Sequence, residues 1–102
     1  RVCGYAPVEG NTQPYGLWHG GATGALVETL GSVAASEHAG SARHPVGTEL
    51  SVSHLRAVRS GRVHGVATAL HLGSSSAVYQ VNLTDDDGRL IASGRLTCRI
   101  LG

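Results

Sequence analysis

His19, Gly20 and Gly21 stand immediately before a stretch with helical periodicity, and Glu28 and Ser32 lie further along it. Two adjacent glycines allow a tight entry into a helix and leave the backbone N–H groups there unobstructed. The first N–H groups of a helix lack intrahelical partners and sit at the positive end of its dipole, where they can polarise a carbonyl oxygen. Glu28 follows about two and a half turns on, with Ser32 one turn beyond. A carboxylate so placed can act as a nucleophile or as a general base. The same residues admit a plainer reading, with Glu28 a solvated side chain on an amphipathic helix and His19 a loop residue.

The elements that would position these residues follow from periodicity. A helix is predicted over residues 21–37, where Ala22, Leu26, Leu30 and Val33 form one apolar stripe. Gly24, Glu28, Gly31, Ser32 and Ala35 lie opposite it. Glycine inside a helix costs roughly 1 kcal/mol relative to alanine, so Gly24 and Gly31 predict that a sheet, a second backbone or a ligand packs very close. Upstream, residues 1–8 read as a short strand stopped by Pro7, and residues 9–16 as a turn-rich loop. Downstream of a loop over residues 39–45 the period becomes two, with Val46, Thr48, Leu50 and Val52 alternating with polar or small residues. Ser60-Gly61 marks a turn before a strand over 63–72, and Gly73-Ser74-Ser75 another before Ala77, Tyr79, Val81 and Leu83. Asp87-Gly88 is a hairpin signal, after which Leu90, Ala92, Gly94, Leu96, Cys98 and Ile100 share one face. Short turns force antiparallel pairing, so the class is α+β: one antiparallel sheet carrying one long helix.

At 102 residues the chain is one domain. Apolar residues make up 41% but include no Phe or Met, so the core must be built from Val, Leu and Ala, and a core that thin favours oligomers. A net charge of +1 gives no electrostatic footprint for nucleic acid or a membrane surface, although Arg56, Arg59 and Arg62 cluster. No apolar run approaches the ~20 residues of a membrane span, and no signal peptide is visible. Cys3 and Cys98 form neither a metal-ligand spacing nor a disulfide framework, which fits two reduced thiols in a cytoplasmic protein. No His-x-x-x-His or Cys-x-x-Cys pattern offers a metal site, and no cofactor is called for.

The string Gln13-Pro14-Tyr15-Gly16-Leu17-Trp18-His19-Gly20-Gly21-Ala22, followed by Glu28-Thr29-Leu30-Gly31-Ser32, resembles hot-dog-fold acyl-CoA thioesterases of the phenylacetate-pathway type. The likeness continues through Val46-Gly47-Thr48-Glu49-Leu50, His54-Leu55-Arg56, Gly61-Arg62-Val63, Leu70-His71-Leu72-Gly73 and Asp87-Gly88-Arg89. It is greatest to the branch that includes 1,4-dihydroxy-2-naphthoyl-CoA thioesterases and the proofreading thioesterases of enterobactin synthesis. The resemblance implies a sheet wrapped around the long helix, and two subunits whose sheets pair to form the active site between them, with a dimer of dimers as the family habit. Gln13, His19 and the Gly20 amide would come from one subunit, Glu28 and Ser32 from the other. It also implies CoA contacts at Gly47, at His54, Leu55, Arg56 and Ala57, and at His71, Leu72, Gly73, Ser74, Ser75 and Ser76. Family members carry an N-terminal helix and a first strand segment ahead of the point where this chain opens on Arg1-Val2-Cys3, so those elements are expected to be missing here.

The expected activity is therefore hydrolysis of an acyl-CoA thioester, with Tyr15 and Trp18 flanking the site and suiting an aromatic acyl group or serving simply as packing. Two other readings share the fold. A hydratase or dehydratase would need a base beside the substrate α-carbon, and a non-catalytic acyl-CoA-binding module would leave Glu28 dispensable.

Overall fold

The computed structural model describes residues 1–102. Five strands and one helix follow in the order β1 (Val2–Pro7), α1 (Gly20–Ala39), β2 (His44–His54), β3 (Arg62–Leu72), β4 (Ser76–Thr84) and β5 (Leu90–Leu101). All five strands join one antiparallel sheet in the spatial order β1-β3-β4-β5-β2. Short turns tie β3 to β4 and β4 to β5, whereas α1 carries the chain from the β1 edge across to the β2 edge. The helix packs against every strand. This is the α+β, hot-dog arrangement expected from the sequence.

The inward positions of the sheet alternate as a half-buried pleat requires. Val63, Gly65 and Ala67 of β3, Ala77, Tyr79, Val81 and Leu83 of β4, and Ala92, Gly94, Leu96, Cys98 and Ile100 of β5 are buried. Fully burying one Val or Leu side chain contributes roughly 1.5–3 kcal/mol, so the missing Phe and Met are offset by number, with Tyr79 the one aromatic buried in the core. The helix meets this surface with Thr23, Val27, Leu30, Gly31, Ala34 and Ala35.

That face differs from the predicted apolar stripe. Of Ala22, Leu26, Leu30 and Val33 only Leu30 is buried, and Val33 is 45% exposed. Closeness of approach decides the outcome, because small residues let the helix settle into the curved sheet. A Cβ at Gly31 would lie 2.6 Å from Leu96 Cδ2, and one at Gly65 2.5 Å from Leu30 Cδ1. Gly31 thus fulfils the expectation of a tight neighbour, while Gly24 meets only Leu50 Cδ2 at 3.8 Å.

Register shifts in β2 against β5, in β3 against β4 and in β4 against β5 accompany the other departures. In β2 the register shifts between Gly47 and Glu49, and Val46 and Leu50 are exposed rather than half-buried, because β2 is an edge strand. Between β4 and β5 the shift falls at Leu83 and Thr84, which turns Leu90 outward and buries Ile91. No helix is long and apolar enough to cross a membrane.

Candidate active site

The loop ahead of the helix is a pinned turn. Gln13 O accepts from Gly16 N–H (2.9 Å), Gln13 N–H donates to Leu17 O (2.8 Å), and Gly16 takes φ 81°. Pro14 and Tyr15 form the centre of this turn, and the left-handed residue that closes it favours glycine. Gln13 Oε1 accepts from Tyr15 N–H at 2.6 Å, which leaves the side-chain NH2 as the free donor. Trp18 N–H donates to Val58 O (2.7 Å) and His19 N–H to Asn11 O (2.8 Å), fixing the exit of the loop.

His19 is the N-cap of α1, with φ −75° and ψ 131°. Its Nδ1 accepts from Gly21 N–H at 2.8 Å, and its carbonyl accepts from the Ala22 and Thr23 amides. A ring that accepts at Nδ1 carries its proton, when neutral, on Nε2. Nε2–H is therefore a donor held at the helix entry. The Gly20 N–H has no partner within the chain. A Cβ at Gly20 would come within 3.2 Å of His54 Cε1, so glycine here lets the His54 ring lie against the helix start.

Gln13 and Gly20 line an open groove of about 370 Å³ together with His54, Leu55, Arg56 and Ala57. Gln13 and Gly20, expected to handle a carbonyl, thus meet one set of residues expected to contact CoA, whereas His19 caps the helix without lining the groove. Leu17, Trp18, Thr23 and Ile91 complete the walls. Tyr15, 84% exposed, does not line it. Ile91 enters through the β5 bulge, and its carbonyl accepts from Leu55 N–H (2.8 Å) and Arg56 N–H (3.1 Å). A bulge has no sequence signature, so nothing in the β5 pattern pointed to Ile91; Thr23 was equally silent.

Glu28 and Ser32 lie elsewhere. Gly20, Gly24, Glu28 and Ser32 form an i, i+4 row along α1, and this row faces β2. Gly20 meets His54, Gly24 meets Leu50, and Glu28 Oε2 lies 3.4 Å from where a Cβ on Gly47 would be. Eight residues of helix separate Gly20 from Glu28, a rise of ~12 Å. Within one chain the carboxylate therefore does not reach the Gly20 groove. Glu28 is exposed and makes no ion pair. Its charge reaches Cys98, whose thiol is pushed up first by burial and second by Glu28.

The segment from His71 to Ser76 sits at a third place, the β3–β4 turn, where Gly73 N–H donates to Ser76 O (2.8 Å) and Gly73 O lies 2.8 Å from His38 Nε2 at the end of α1. Ser75 and Ser76 line a depression with Thr48, Thr97, Cys98 and Arg99. A single chain thus carries Gln13, His19, Gly20 and His54 to Ala57 at one end, and Glu28, Gly47 and the His71–Ser76 turn towards the other. No group of three or more His, Cys, Asp or Glu side chains is arranged to hold a metal ion.

A thioesterase superfamily model matches residues 15–92. The chain is 47% identical over 96 residues to the 1,4-dihydroxy-2-naphthoyl-CoA hydrolase of Escherichia coli, covering 93% of this chain and 71% of that protein. It is 47% identical over 97 residues to the proofreading thioesterase EntH of Cronobacter sakazakii, covering 94% and 71%. Among solved structures, a Haemophilus influenzae thioesterase superposes with a TM-score of 0.96 at 36% identity, covering 98% of this chain and 71% of the other.

Proposed function

Because this chain belongs to the thioesterase superfamily and is a thioester hydrolase, we propose that it cleaves an acyl-CoA with an aromatic acyl group at a site completed by a second copy of itself. The unpartnered Gly20 N–H, which shares its groove with the free amide donor of Gln13 while His19 caps the helix entry, carries this reading. The thioester oxygen would lie against that amide, and one such donor is worth about 3 kcal/mol in the transition state.

The carboxylate would come from the partner. β2 is an open edge, and antiparallel pairing of two copies about an axis near Leu50 and Ser51 would set His54 of one strand beside Gly47 of the other, ~4.8 Å away. Since His54 faces Gly20 and Gly47 faces Glu28, that register would bring a Glu28 carboxylate to the opposite Gly20 groove. Glu28 then either attacks the acyl carbon to give a mixed anhydride that water hydrolyses, or removes a proton from a water that attacks directly. In both routes the C–S bond breaks, CoA leaves as a thiolate that takes up a proton, and one water is consumed, by direct attack on the acyl carbon or by opening the anhydride, to give the free acid and regenerate Glu28. Ser32, one turn beyond Glu28, would hydrogen-bond the nucleophile or water. The aromatic preference rests on the naming of the Escherichia coli relative and on Trp18 in the groove wall. Arg56 and His54 suit phosphate and pantetheine groups, and the His71–Ser76 turn would supply further CoA contacts across the interface. The assembly would be a dimer at least, and a dimer of dimers by family habit.

The test is free-thiol release from an aroyl-CoA by wild type and Glu28→Ala. Loss of a carboxylate in this role lowers kcat by about 10²- to 10⁴-fold or more. A loss under about tenfold removes Glu28 from the chemistry. No thiol release by the wild type would point instead to hydration chemistry or simple binding. A panel of aromatic and aliphatic acyl-CoAs, ranked by kcat/KM, tests the acyl class.

A further inference from the structure

Thr23 is buried to 1% exposure on the face that α1 turns to the sheet, yet it carries a hydroxyl. Threonine in a helix commonly turns its hydroxyl back to the carbonyl four residues earlier, as Thr29 does to Ala25 O at 2.7 Å. Thr23 Oγ1 instead accepts from the Trp18 indole N–H at 2.6 Å. The backbone joins the same two segments, since Thr23 N–H donates to His19 O. Trp18 in turn lies between Leu17 and His19 in the loop that presents Gln13, and both Trp18 and Thr23 line the Gly20 groove. The indole is partly buried against the core.

We propose that Thr23 is a positioning residue for thioester hydrolysis, acting through the Trp18 indole to hold the Gln13–His19 donors in register with the Gly20 amide and to fix the groove wall between them. The inference rests on the reading that this groove receives the thioester. The loop reaches the helix by backbone bonds at His19 only; upstream of that residue, the Trp18–Thr23 pair is the one side-chain tie from loop to helix. Replacing Thr23 by valine keeps the shape and removes the acceptor, leaving a partly buried indole N–H without a partner, which favours rotation of the ring out of its place. Because a misplacement of about 1 Å among catalytic groups can cost 10²-fold, the loss falls on kcat rather than on folding alone.

Trp18 is the chain's single tryptophan, so its fluorescence reports this contact directly. The experiment compares wild type, Thr23→Val, Thr23→Ser, Trp18→Phe and the Thr23→Val/Trp18→Phe double variant for kcat and KM in the thiol-release assay, with emission spectra for those that keep Trp18. Thr23→Val is expected to shift the emission maximum and lower kcat by about tenfold or more; Thr23→Ser restores both. Trp18→Phe, which keeps a ring and loses the N–H, matches Thr23→Val, and the double variant is no worse than either single. Additive losses, or a Thr23→Val kcat within about twofold of wild type, overturn the proposal. Should Thr23→Val fail to fold, Trp18→Phe decides: an unchanged kcat refutes it. Wild-type activity with a failed cycle refutes this inference alone, whereas an inactive wild type strikes at the groove's assignment itself.

Discussion

On the proposed shared site, two inactive variants should restore each other's activity, because its two halves would belong to different copies of the chain. Gly20 and Glu28 are ~12 Å apart along one helix, whereas reacting groups must come within ~3.5 Å. Glu28→Ala removes the carboxylate from both sites of a homodimer. The double variant Gln13→Ala/His19→Ala removes the side-chain donors from both. A heterodimer of the two carries one site with both lesions and one with neither. Free reassortment of equal amounts gives heterodimers as about half of all dimers, each with one intact site of two, so the mixture recovers about a quarter of wild-type activity. Co-expression with two different affinity tags allows the heterodimer to be purified, and its activity should be about half that of wild type per dimer. The assay is thiol release under saturating aroyl-CoA. A purified heterodimer no more active than its parents would refute the shared site, and the pairing about Leu50 and Ser51 with it.

Further outcomes follow from the packing and the charges. Gly24→Ala should raise stability by up to about 1 kcal/mol through helix propensity, since only Leu50 Cδ2 at 3.8 Å stands near the new methyl. Gly31→Ala should lower it by roughly 1 kcal/mol, because overpacking of about 1–3 kcal/mol exceeds the same propensity gain; urea midpoints moving in one direction for both would contradict this. At the β4–β5 turn the Arg89 amide holds the Asp85 carboxyl below the usual aspartate range, opposed by burial and aided by the Arg89 guanidinium and the Asp87 amide. The His64 ring and the Arg62 amide do the same for Asp86. Both folded values are lowered, so their stabilisation is complete above the ordinary value of ~4 and is lost as pH falls through the lower folded values. Asp85→Asn should flatten that acid limb in urea titrations, and parallel limbs for variant and wild type would count against it. Cys3 is exposed while Cys98 is buried with its thiol raised, so a disulfide reagent at mildly alkaline pH should label one thiol quickly and the second only after unfolding.

Periodicity and turn chemistry were enough to read all six elements, because alternation along β3 to β5 and the Asp87-Gly88 turn are local signals. The helix face was misread at Ala22, Leu26 and Val33 because side-chain hydrophobicity was weighed without the space available. The sheet accepts Gly31, Ala34 and Ala35 because they are small. At the site, the two glycines at the helix entry announced an available amide, and the structure adds that His19 Nδ1 is already spent on Gly21. Thr23 and Ile91 were illegible for different reasons. A buried threonine looks like any other until its indole partner is seen, and Ile91 reaches the groove only through a register shift set by tertiary pairing.

The position of β2 has a consequence for how the protein is made. Its sole ladder within the chain is with β5, and β3 and β4 intervene in sequence. During synthesis β2 therefore waits, unpaired, while two further strands are translated, and non-local closures of this kind are slow to form. The strand that carries Gly47 and His54 is thus among the late arrivals of folding. Until β5 docks, both of its edges are open to wrong neighbours, and crowded expression at high temperature should divert this chain to aggregates at that stage.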